Sequence, residues 1–269
     1  MLVMMKSKFD KFYTKEKIVK QCLATLPSDK TFDLWVEPSA GAGAFLFNLP
    51  EPRIGLDIAP DHDEIINQDF LQWKFPENKS IAVVGNPPFG RQCSLALKFF
   101  KRSSLFADLI AFILPRTFKK VSIQNKLSTK WDLQYELDLP ATSFELINDY
   151  GSIKNYSVSC VWQIWERIPD GGRRKKIKIE QNHSDWEWTT KDKAKFCMRR
   201  TGGSAGKMYK DFDKYAVEGN YFINCSDEVY EKLDSLYDKF QKVAYDTVSN
   251  PSLSKGEIVY IYKKLLASS

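Results

Sequence analysis

The chain has 269 residues, which is enough for one large or two small domains with a substantial buried core. Hydrophobic residues make up 43% of the sequence and aromatic residues 14%, a composition typical of globular rather than disordered proteins. No stretch is apolar for long enough to span a bilayer, and the N-terminus lacks the pattern of a signal peptide, so we expect an intracellular protein. Five scattered cysteines and two histidines, with no C-x-x-C spacing, argue against a disulfide framework or a metal site.

Positive charge is concentrated in one part of the sequence. The formal net charge is +6, but the stretch from Arg173 to Lys210 alone carries twelve Lys or Arg against four Asp or Glu. This local excess of eight positive charges is larger than that of the whole chain, so the remainder has a slight negative balance. A basic region of this kind predicts a polyanionic partner such as a nucleic acid.

The first predicted elements are a helix and a strand. Apolar residues at helical spacing follow Phe12-Tyr13-Thr14, and Thr14 is placed to be the N-cap of this helix, with Pro27 as its stop. A strand over residues 31–36 comes next. We expect the helix to pack at an edge of the sheet to which this strand belongs.

The turn after this strand is rich in small residues. It runs from Glu37 through Gly41 and Gly43 to Phe45 and is predicted to open a second helix. The two glycines allow unusual φ angles and remove side chains, so backbone N–H groups can face a carboxylate or a sugar. An ordinary tight turn between a strand and a helix has the same G-x-G pattern, and that alternative stays open.

Another candidate ligand residue stands where the next strand ends. Residues 53–58 form a predicted strand that ends at Asp57, about where doubly wound nucleotide-binding folds place the carboxylate that holds ribose hydroxyls. Asp69 and Phe70 follow after a short connection. Asp69 is placed to accept from an adenine amino group and Phe70 to line the adenine ring. An N-cap role for Asp69 is an equally good interpretation.

The stretch that organises the whole chain is an apolar run, residues 81–85, that ends in Asn86-Pro87-Pro88-Phe89. The run predicts a buried strand, and the two prolines force it to end in a stiff turn because they fix their own φ angles and donate no hydrogen bond. In an open α/β sheet such a turn presents its polar groups to a pocket at the carboxyl ends of the strands.

The groups at this turn suit a planar NH2 attached to a flat ring. The side-chain oxygen of Asn86 and the carbonyl of Pro87 can accept its two hydrogens, and the ring of Phe89 can stack on the base. Fixed acceptors can draw the nitrogen towards tetrahedral geometry and free its lone pair for attack, so no strong general base is required. The alternative is an ordinary turn at the end of a strand.

The rest of the first part of the chain alternates between strands and helices. A helix is predicted over residues 95–100, and strands over residues 108–114, 131–139, 144–147 and 156–165. This alternation, closed by a hairpin, predicts an α/β fold with a doubly wound, mostly parallel sheet and one reversed strand near its edge.

A turn-rich segment after residue 168 marks a predicted domain boundary, which gives domains of residues 1–168 and 169–269. The second domain interleaves basic residues with aromatics and glycines, as nucleic-acid contacts require, although a solvated basic face is the alternative. Its predicted nucleic-acid-binding residues are Arg173, Arg174, Lys175, Lys176, Arg199, Arg200 and Lys207. A helix with Ser226 at its start and a final helix with a capping box at Ser254 and Glu257 complete the domain.

Taken in order, these motifs resemble a known family. The motifs are Phe12-Tyr13-Thr14, Glu37-Pro38-Ser39-Ala40-Gly41-Ala42-Gly43, Asp57, Asp69-Phe70 and Asn86-Pro87-Pro88-Phe89. They look like those of the class I S-adenosylmethionine-dependent methyltransferases that modify the exocyclic 6-amino group of adenine, in the order of the gamma-class DNA enzymes. The resemblance covers roughly residues 9 to 168. It implies a seven-stranded Rossmann-like sheet, S-adenosylmethionine as cofactor and a nucleic-acid substrate.

The resemblance also implies a role for each matched position. Tyr13 and Thr14 would lie near the methionine end of the cofactor. The remaining positions would hold its amino-acid portion (Glu37, Gly41, Gly43), its ribose (Asp57), its adenine (Asp69, Phe70) and the target base (Asn86, Pro87, Pro88, Phe89). In the family an aromatic near the hairpin closes over the flipped base; here Tyr150 and Tyr156 are candidates, with interior packing as the alternative for each.

One departure bears on the substrate. The family more often has a tyrosine where this chain has Phe89, so stacking is kept but any role of a hydroxyl is lost. Phenylalanine there also resembles the methyltransferases of the cap-adjacent adenosine of messenger RNA. We therefore expect an N6-adenine methyltransferase with DNA slightly favoured over RNA. The alternatives are an RNA adenosine methyltransferase, a protein glutamine methyltransferase and a catalytically silent nucleic-acid-binding subunit.

Overall fold

The structure is a computed structural model, and it describes residues 12–147, 153–248 and 250–267. The chain divides into two compact units. The first contains Met1–Phe118 and Ile123–Lys176, and the second contains Lys119–Ser122 and Ile177–Ser269. The division therefore falls later in the chain than the boundary expected after residue 168, and residues 173–176 belong to the first unit.

The first unit is built around a seven-stranded sheet of order β4-β3-β2-β5-β6-β10-β7. All neighbouring pairs are parallel except those of β10, which is antiparallel to β6 and β7. This confirms the predicted doubly wound, mostly parallel sheet with one reversed strand next to its edge. A smaller sheet has the order β1-β8-β9. The elements are β1 (Phe12–Thr14), α1 (Glu16–Leu23), β2 (Leu34–Glu37), β3 (Arg53–Asp57), β4 (Ile66–Asn67), β5 (Ile81–Gly85), α2 (Ser94–Ser103), β6 (Leu109–Pro115), α3 (Val121–Gln124), β7 (Trp131–Asp138), β8 (Phe144–Ile147), β9 (Ile153–Tyr156) and β10 (Cys160–Arg167).

The two faces of the sheet explain why its central strands are apolar throughout. Every residue of β5 and β6 is buried. Successive residues of β6 alternate between two hydrophobic clusters, with Ile110 and Phe112 in one and Ala111 and Ile113 in the other. Because side chains of a strand point alternately to opposite faces, both faces of this sheet are covered. Because both faces are covered, the sequence of β5 is a continuous apolar run and not an alternating one.

Three local predictions are wrong. Thr14 is not a helix N-cap: it belongs to β1, and Lys15 occupies the N-cap position of α1. The glycine-containing turn does not open an α-helix; it ends in a single 3-10 turn, Leu46–Asn48. The predicted strand over residues 156–165 is divided between β9 and β10, because β9 pairs with β8 in the smaller sheet while β10 pairs with β6 and β7.

The second unit has its own antiparallel sheet, of order β11-β14-β12-β13, and its own core. The predicted capping box at Ser254 and Glu257 is present at the start of α6. The helix predicted to start at Ser226 does so, but it breaks at Leu236 into two helices. No helix in the described part of the chain is long and apolar enough to cross a membrane. The elements are β11 (Trp186–Thr189), β12 (Phe196–Arg199), β13 (Met208–Tyr209), β14 (Asn220–Cys225), α4 (Asp227–Ser235), α5 (Tyr237–Ala244) and α6 (Lys255–Leu266).

A buried ion pair stabilises the second unit. Lys120 Nζ lies 3.1 Å from Glu257 Oε1 and donates to the carbonyl of Ser252 at 2.9 Å, and both charged side chains are about nine-tenths buried. Removing one partner leaves the other charge buried and uncompensated. We expect Lys120→Met to lower the free energy of unfolding by about 3 kcal/mol, measured by urea denaturation. The double variant Lys120→Met/Glu257→Gln should lose less than the sum of the two single variants. Strict additivity would contradict the pairing.

Candidate active site

The candidate site lies at the carboxyl edge of the central sheet. Strands β2, β3 and β5 are parallel neighbours, so their last residues, Glu37, Asp57 and Gly85, lie at the same edge. The glycine-containing turn follows β2, and Asn86-Pro87-Pro88-Phe89 follows β5. Open α/β sheets bind ligands at this edge.

The side chain of Asn86 is anchored to β1. Its Nδ2 donates to Thr14 Oγ1 at 3.2 Å, and Thr14 is fixed by its place in β1. The backbone carbonyl of Asn86 accepts from Ser39 Oγ at 3.0 Å, which ties this corner to the glycine-containing turn. Asn86 Oδ1 is buried and has no hydrogen-bond partner among the described residues. A buried acceptor without a partner costs about 1–3 kcal/mol, a cost that a donor from a ligand would remove.

The corner that contains Asn86 is anchored at its far end as well. The carbonyl of Phe89 accepts from the backbone amides of Leu95 and Ala96 at the start of α2. Pro87 is buried, Pro88 is exposed, and Phe89 is half-buried against one of the hydrophobic clusters of the first unit. Phe89 therefore follows the corner with part of the residue exposed.

A strained loop follows the corner. Gly90, Gln92 and Cys93 have φ angles of 66°, 52° and 62°. The left-handed conformation costs a residue with a side chain roughly 1–2 kcal/mol, so two such residues in succession store strain next to the site. Backbone strain of this kind is concentrated at functional sites in proteins. The sequence gives no sign of it, because neither glutamine nor cysteine is typical of the left-handed region.

The glycine-containing turn has the left-handed backbone that its glycines allow, but the amides predicted to face a ligand are occupied: that of Gly41 donates to Asp57 Oδ2 and that of Gly43 to the carbonyl of Ala40. Gly41 and Gly43 have φ angles of 53° and 81°. A Cβ placed on Gly41 would meet nothing within 4 Å among the described residues, whereas one on Gly43 would lie 2.2 Å from the ring of Phe47. Gly43 is therefore required for packing, and Gly41 leaves space beside the backbone.

Asp57 connects the turn to the end of β3. Its Oδ2 accepts from the amide of Gly41 at 2.8 Å, and its Oδ1 accepts from the amide of Ala59 at 2.8 Å. Each carboxylate oxygen has a second lone pair, so the half-buried side chain can still accept from ribose hydroxyls. Asp57 thus has a structural role in addition to the predicted one.

Tyr13 also reaches the turn. Its hydroxyl donates to Asp61 Oδ2 at 2.8 Å, and the amide of Asp61 donates to the carbonyl of Gly41 at 2.9 Å. Partial burial, the hydrogen bond to Asp61 and the nearby carboxylates of Asp61 and Asp57 raise the pKa of Tyr13 to about 12. The hydroxyl is therefore protonated at neutral pH and acts as a donor.

Glu37 is placed differently from expectation. Only 2% of the residue is exposed, and its Oε2 accepts from the amide of Leu46 at 2.6 Å. The amide of Phe45 also donates to this carboxylate. Glu37 therefore closes the glycine-containing turn from inside, and in this arrangement it shapes the turn instead of presenting a free carboxylate.

The burial of Glu37 predicts a pH-dependent stability. Burial, with a smaller contribution from Asp57, raises the pKa of Glu37 well above its ordinary value of 4.5. The folded state then binds this proton more tightly than the unfolded state, so the contribution of Glu37 to stability is fully present below pH 4.5 and is lost as the pH rises through the raised pKa. We expect this decrease in wild type and not in Glu37→Gln, measured by urea denaturation between about pH 4.5 and 8. Parallel curves for the two proteins would contradict it.

Asp69 and Phe70 are placed near the end of β3 but face the protein. Asp69 accepts from the amide of Leu71 and from Gln72 Nε2, but a turn and not a helix follows it, so the N-cap alternative is wrong and Asp69 caps a turn. The ring of Phe70 is in the hydrophobic core, with 1% of the residue exposed. In contrast, Ile58 is 53% exposed directly after Asp57 and offers an apolar surface at this edge.

The predicted nucleic-acid-binding residues fall into two groups. In the first unit, Arg174 is occupied by the carbonyls of Trp131 and Gln124, while Arg173, Lys175 and Lys176 are exposed. In the second unit, Arg199 Nε donates to a backbone carbonyl, and Arg200 and Lys207 lie over the rings of tyrosines. Arg174 therefore has a packing role, which the charge pattern could not distinguish from a phosphate contact.

The structure brings most of the predicted site together, and it adds residues. Hydrogen bonds connect Tyr13 and Thr14 of β1, the glycine-containing turn, Asp57 and Asn86 at one edge. Ser39 and Asp61 were not predicted as site residues. Ser39 lies in the turn after β2, but nothing in the sequence indicates that its hydroxyl donates to the carbonyl of Asn86. Tyr150 lies outside the described residues, and for Tyr156 only its place in β9 is described.

These groups fit the predicted cofactor, S-adenosylmethionine. Gly41 leaves room for a ligand against the backbone, the carboxylate of Asp57 retains lone pairs for hydroxyls, and exposed Ile58 provides an apolar surface for a flat ring. Asn86, with its partnerless oxygen, is hydrogen-bonded to the same turn through Ser39. The candidate cofactor slot and the candidate amine-binding corner are therefore adjacent.

No protein-family model matches the sequence. Among solved structures, the chain is similar to a Pyrococcus horikoshii protein provisionally described as an RNA methyltransferase (12% identity, TM-score 0.44, 59% of this chain and 87% of that one). It is similar to the 23S rRNA methyltransferase ErmE (14%, 0.38, 58% and 69%). It is also similar to a Listeria monocytogenes protein provisionally described as a class I S-adenosylmethionine-dependent methyltransferase (12%, 0.42, 60% and 62%). At these values the likeness concerns the fold and carries no argument about substrate.

Proposed function

We propose that this protein transfers a methyl group from S-adenosylmethionine to the exocyclic 6-amino group of adenine in a nucleic acid. The observation that carries the proposal is the buried, partnerless Oδ1 of Asn86, in a side chain whose Nδ2 is hydrogen-bonded to Thr14. An acceptor without a partner, next to the half-buried Phe89, matches an amino group on a flat base.

The chain's own residues would act on the target amine by holding it. Asn86 Oδ1 and the carbonyl of Pro87 would each accept one N–H, which localises the lone pair of the nitrogen. Phe89 would stack on the base. Since Asn86 cannot act as a base, the proton leaves after methylation has made the nitrogen acidic, and catalysis is mainly alignment and polarisation.

The cofactor would be held at the glycine-containing turn. Gly41, with open space beside its backbone, would allow a close approach of the amino-acid portion, Tyr13 would lie near that end, and Asp57 would accept from the ribose hydroxyls. When bound, S-adenosylmethionine supplies a methyl group on a sulfonium, which is a good leaving group. Asp69 and Phe70 would contribute by shaping the adenine end, because their side chains are occupied within the protein.

The choice of nucleic acid rests on two opposed features of the sequence. The motif order, with a basic region after the catalytic part, favours DNA slightly. Phe89 in place of tyrosine favours RNA, including a cap-adjacent adenosine. An adenine in a duplex must be flipped out of the stack at a cost of a few kcal/mol, whereas an unpaired adenine needs no such step.

The test is to identify the product. Purified protein is incubated with S-adenosylmethionine labelled in its methyl group and with DNA, RNA or protein, and the products are treated with nuclease or protease. We expect label in nucleic acid and, after digestion to nucleosides, a mass corresponding to N6-methyladenosine or its deoxy form. Label in protein at glutamine, or no transfer at all despite cofactor binding measured by calorimetry, would overturn the proposal.

A further inference from the structure

A basic cleft lies at the edge of the sheet opposite the candidate site. Its volume is about 600 Å³, and five of the residues that line it are basic while none is acidic. All of them belong to the first unit. The basic residues are Lys101, Lys126, Lys130, Arg167 and Lys176.

The arginine and the four lysines differ in whether they have partners within the protein. Arg167 is occupied: it donates to the carbonyls of Ala107 and Ser104, lies 3.6 Å from Asp108 and is packed over the ring of Trp131. The lysines are exposed, and none of them forms a salt bridge within the described residues. Lys101 lies at the end of α2, where a cation complements the helix dipole. That explanation does not extend to Lys126, Lys130 or Lys176, which lie outside helices.

The wall of the cleft is fixed in place. Leu127, which follows Lys126 in the sequence, is buried in the main core of the first unit. Trp131, which follows Lys130, is fully buried there as well. The amide of Arg174 donates to the carbonyl of Thr129 at 2.7 Å, which holds the segment that leads to Lys176. The lysines are therefore attached to a backbone that is held in place, and Ser104, Ser128 and Thr129 line the cleft with them.

The position of the cleft follows from the strand directions. Ser104 and Leu105 precede β6, Lys130 precedes β7, and Arg167 ends the reversed strand β10, so all of them lie at the amino edge of the parallel sheet. Strands β5 and β6 have five and seven residues, and they separate this edge from Asn86 by about 20 Å. One turn of duplex, about 34 Å, is long enough to reach both edges.

A second cavity at the same edge differs in chemistry. It is smaller, about 270 Å³, and it is lined by both signs of charge, with Lys30 and Arg167 facing Asp108 and Glu166. Lys30 and Glu166 already form an ion pair at 2.6 Å. This cavity is electrostatically satisfied within the protein, whereas the basic cleft is not.

We propose that the basic cleft binds the phosphodiester backbone of the nucleic-acid substrate, away from the target adenine. This inference rests on the proposed function, and it assigns part of the substrate contact to the catalytic unit rather than to residues 177–269. Phosphate contacts of this kind add affinity without reading sequence. They also require a substrate that extends well beyond the target nucleotide.

The test uses two variants of equal charge. Lys126→Gln/Lys130→Gln removes two charges from the cleft, and Lys74→Gln/Lys79→Gln removes two exposed charges that do not line it. Binding of duplexes of about 10 and about 20 base pairs, and of a stem of RNA of the greater length, is measured against salt concentration in the presence of the demethylated cofactor product. Inorganic pyrophosphate serves as a competitor in each case.

The expected result is specific to the cleft. Each lost phosphate contact reduces the magnitude of the slope of log affinity against log salt by about 0.9 on a duplex. The slope of the cleft variant should therefore be reduced by close to twice that value, and the slope of the control variant should not change. Equal slopes for the two variants, with wild type binding tightly, would overturn the inference and leave the proposed function standing. Absence of any nucleic-acid binding by wild type would overturn both. Competition by pyrophosphate with no dependence on duplex length would assign the cleft to a small anion and overturn the inference.

Discussion

Replacing Asn86 with alanine is expected to lower methyl transfer by about 100- to 1,000-fold, the usual cost of removing one preorganised polar group from a transition state. Without Oδ1, only the carbonyl of Pro87 remains to hold the amine, and the lone pair stays delocalised into the ring. The measurement is the single-turnover rate on an adenine-containing oligonucleotide. Cofactor affinity, measured by calorimetry, should stay within a factor of about three, since Asn86 does not contact the glycine-containing turn through its side chain.

A conservative variant separates chemistry from folding. Asn86→Asp keeps an acceptor at this position but replaces the Nδ2 donor that Thr14 Oγ1 accepts. Its carboxylate can still accept from the amine, so it should retain more activity than the alanine variant. Near-full turnover by Asn86→Ala would remove Asn86 from the mechanism.

The two glycines of the turn are expected to respond to substitution in different ways. In Gly43→Ala, the new Cβ would lie 2.2 Å from the ring of Phe47 at a left-handed backbone position, so we expect the free energy of unfolding to fall by about 2–4 kcal/mol. In Gly41→Ala, only the left-handed backbone is penalised, by about 1–2 kcal/mol, because nothing described lies within 4 Å of the new Cβ. Urea denaturation measures both.

A larger side chain at Gly41 tests what occupies the neighbouring space. Gly41→Leu has the same backbone cost as Gly41→Ala, so the two variants should have similar thermal midpoints. The leucine side chain would fill the space assigned to the cofactor, and S-adenosylmethionine affinity should fall at least about tenfold relative to the alanine variant. Equal affinities of the two variants would show that the cofactor does not lie there.

The sheet could be predicted from the sequence because its central strands have a strong local signal. Local sequence alone indicates buried parallel strands here, through the apolar runs of β5 and β6 and the stiff turn after Gly85. The reversed strand was predicted as part of a hairpin of residues 144–147 and 156–165, whereas β10 pairs with β6 and β7 and β8 belongs to the smaller sheet. The signals of β5 and β6 depend on residues that are close in sequence, and the pairing of β10 does not.

The details that were wrong or unforeseen depend on residues that are far apart. Threonine is a residue type favoured at helix N-caps, but the pairing of β1 with β8 overrides that local preference at Thr14. Whether Glu37 faces a ligand or closes a turn depends on Leu46, and whether Phe70 faces a ligand or the core depends on its packing against Phe99. Composition alone could not separate Arg174, which packs, from Lys176, which is exposed.

The hydrogen bond between Asn86 and Thr14 makes the corner depend on β1. An asparagine amide presents an oxygen on one side and an NH2 on the other, and in this structure the NH2 donates to Thr14 Oγ1. A cleavage that removed β1 would take away this partner, and the amide would be free to rotate and present a donor where an incoming amine needs an acceptor. The chemistry of the corner therefore depends on a three-residue strand that is far from it in the sequence.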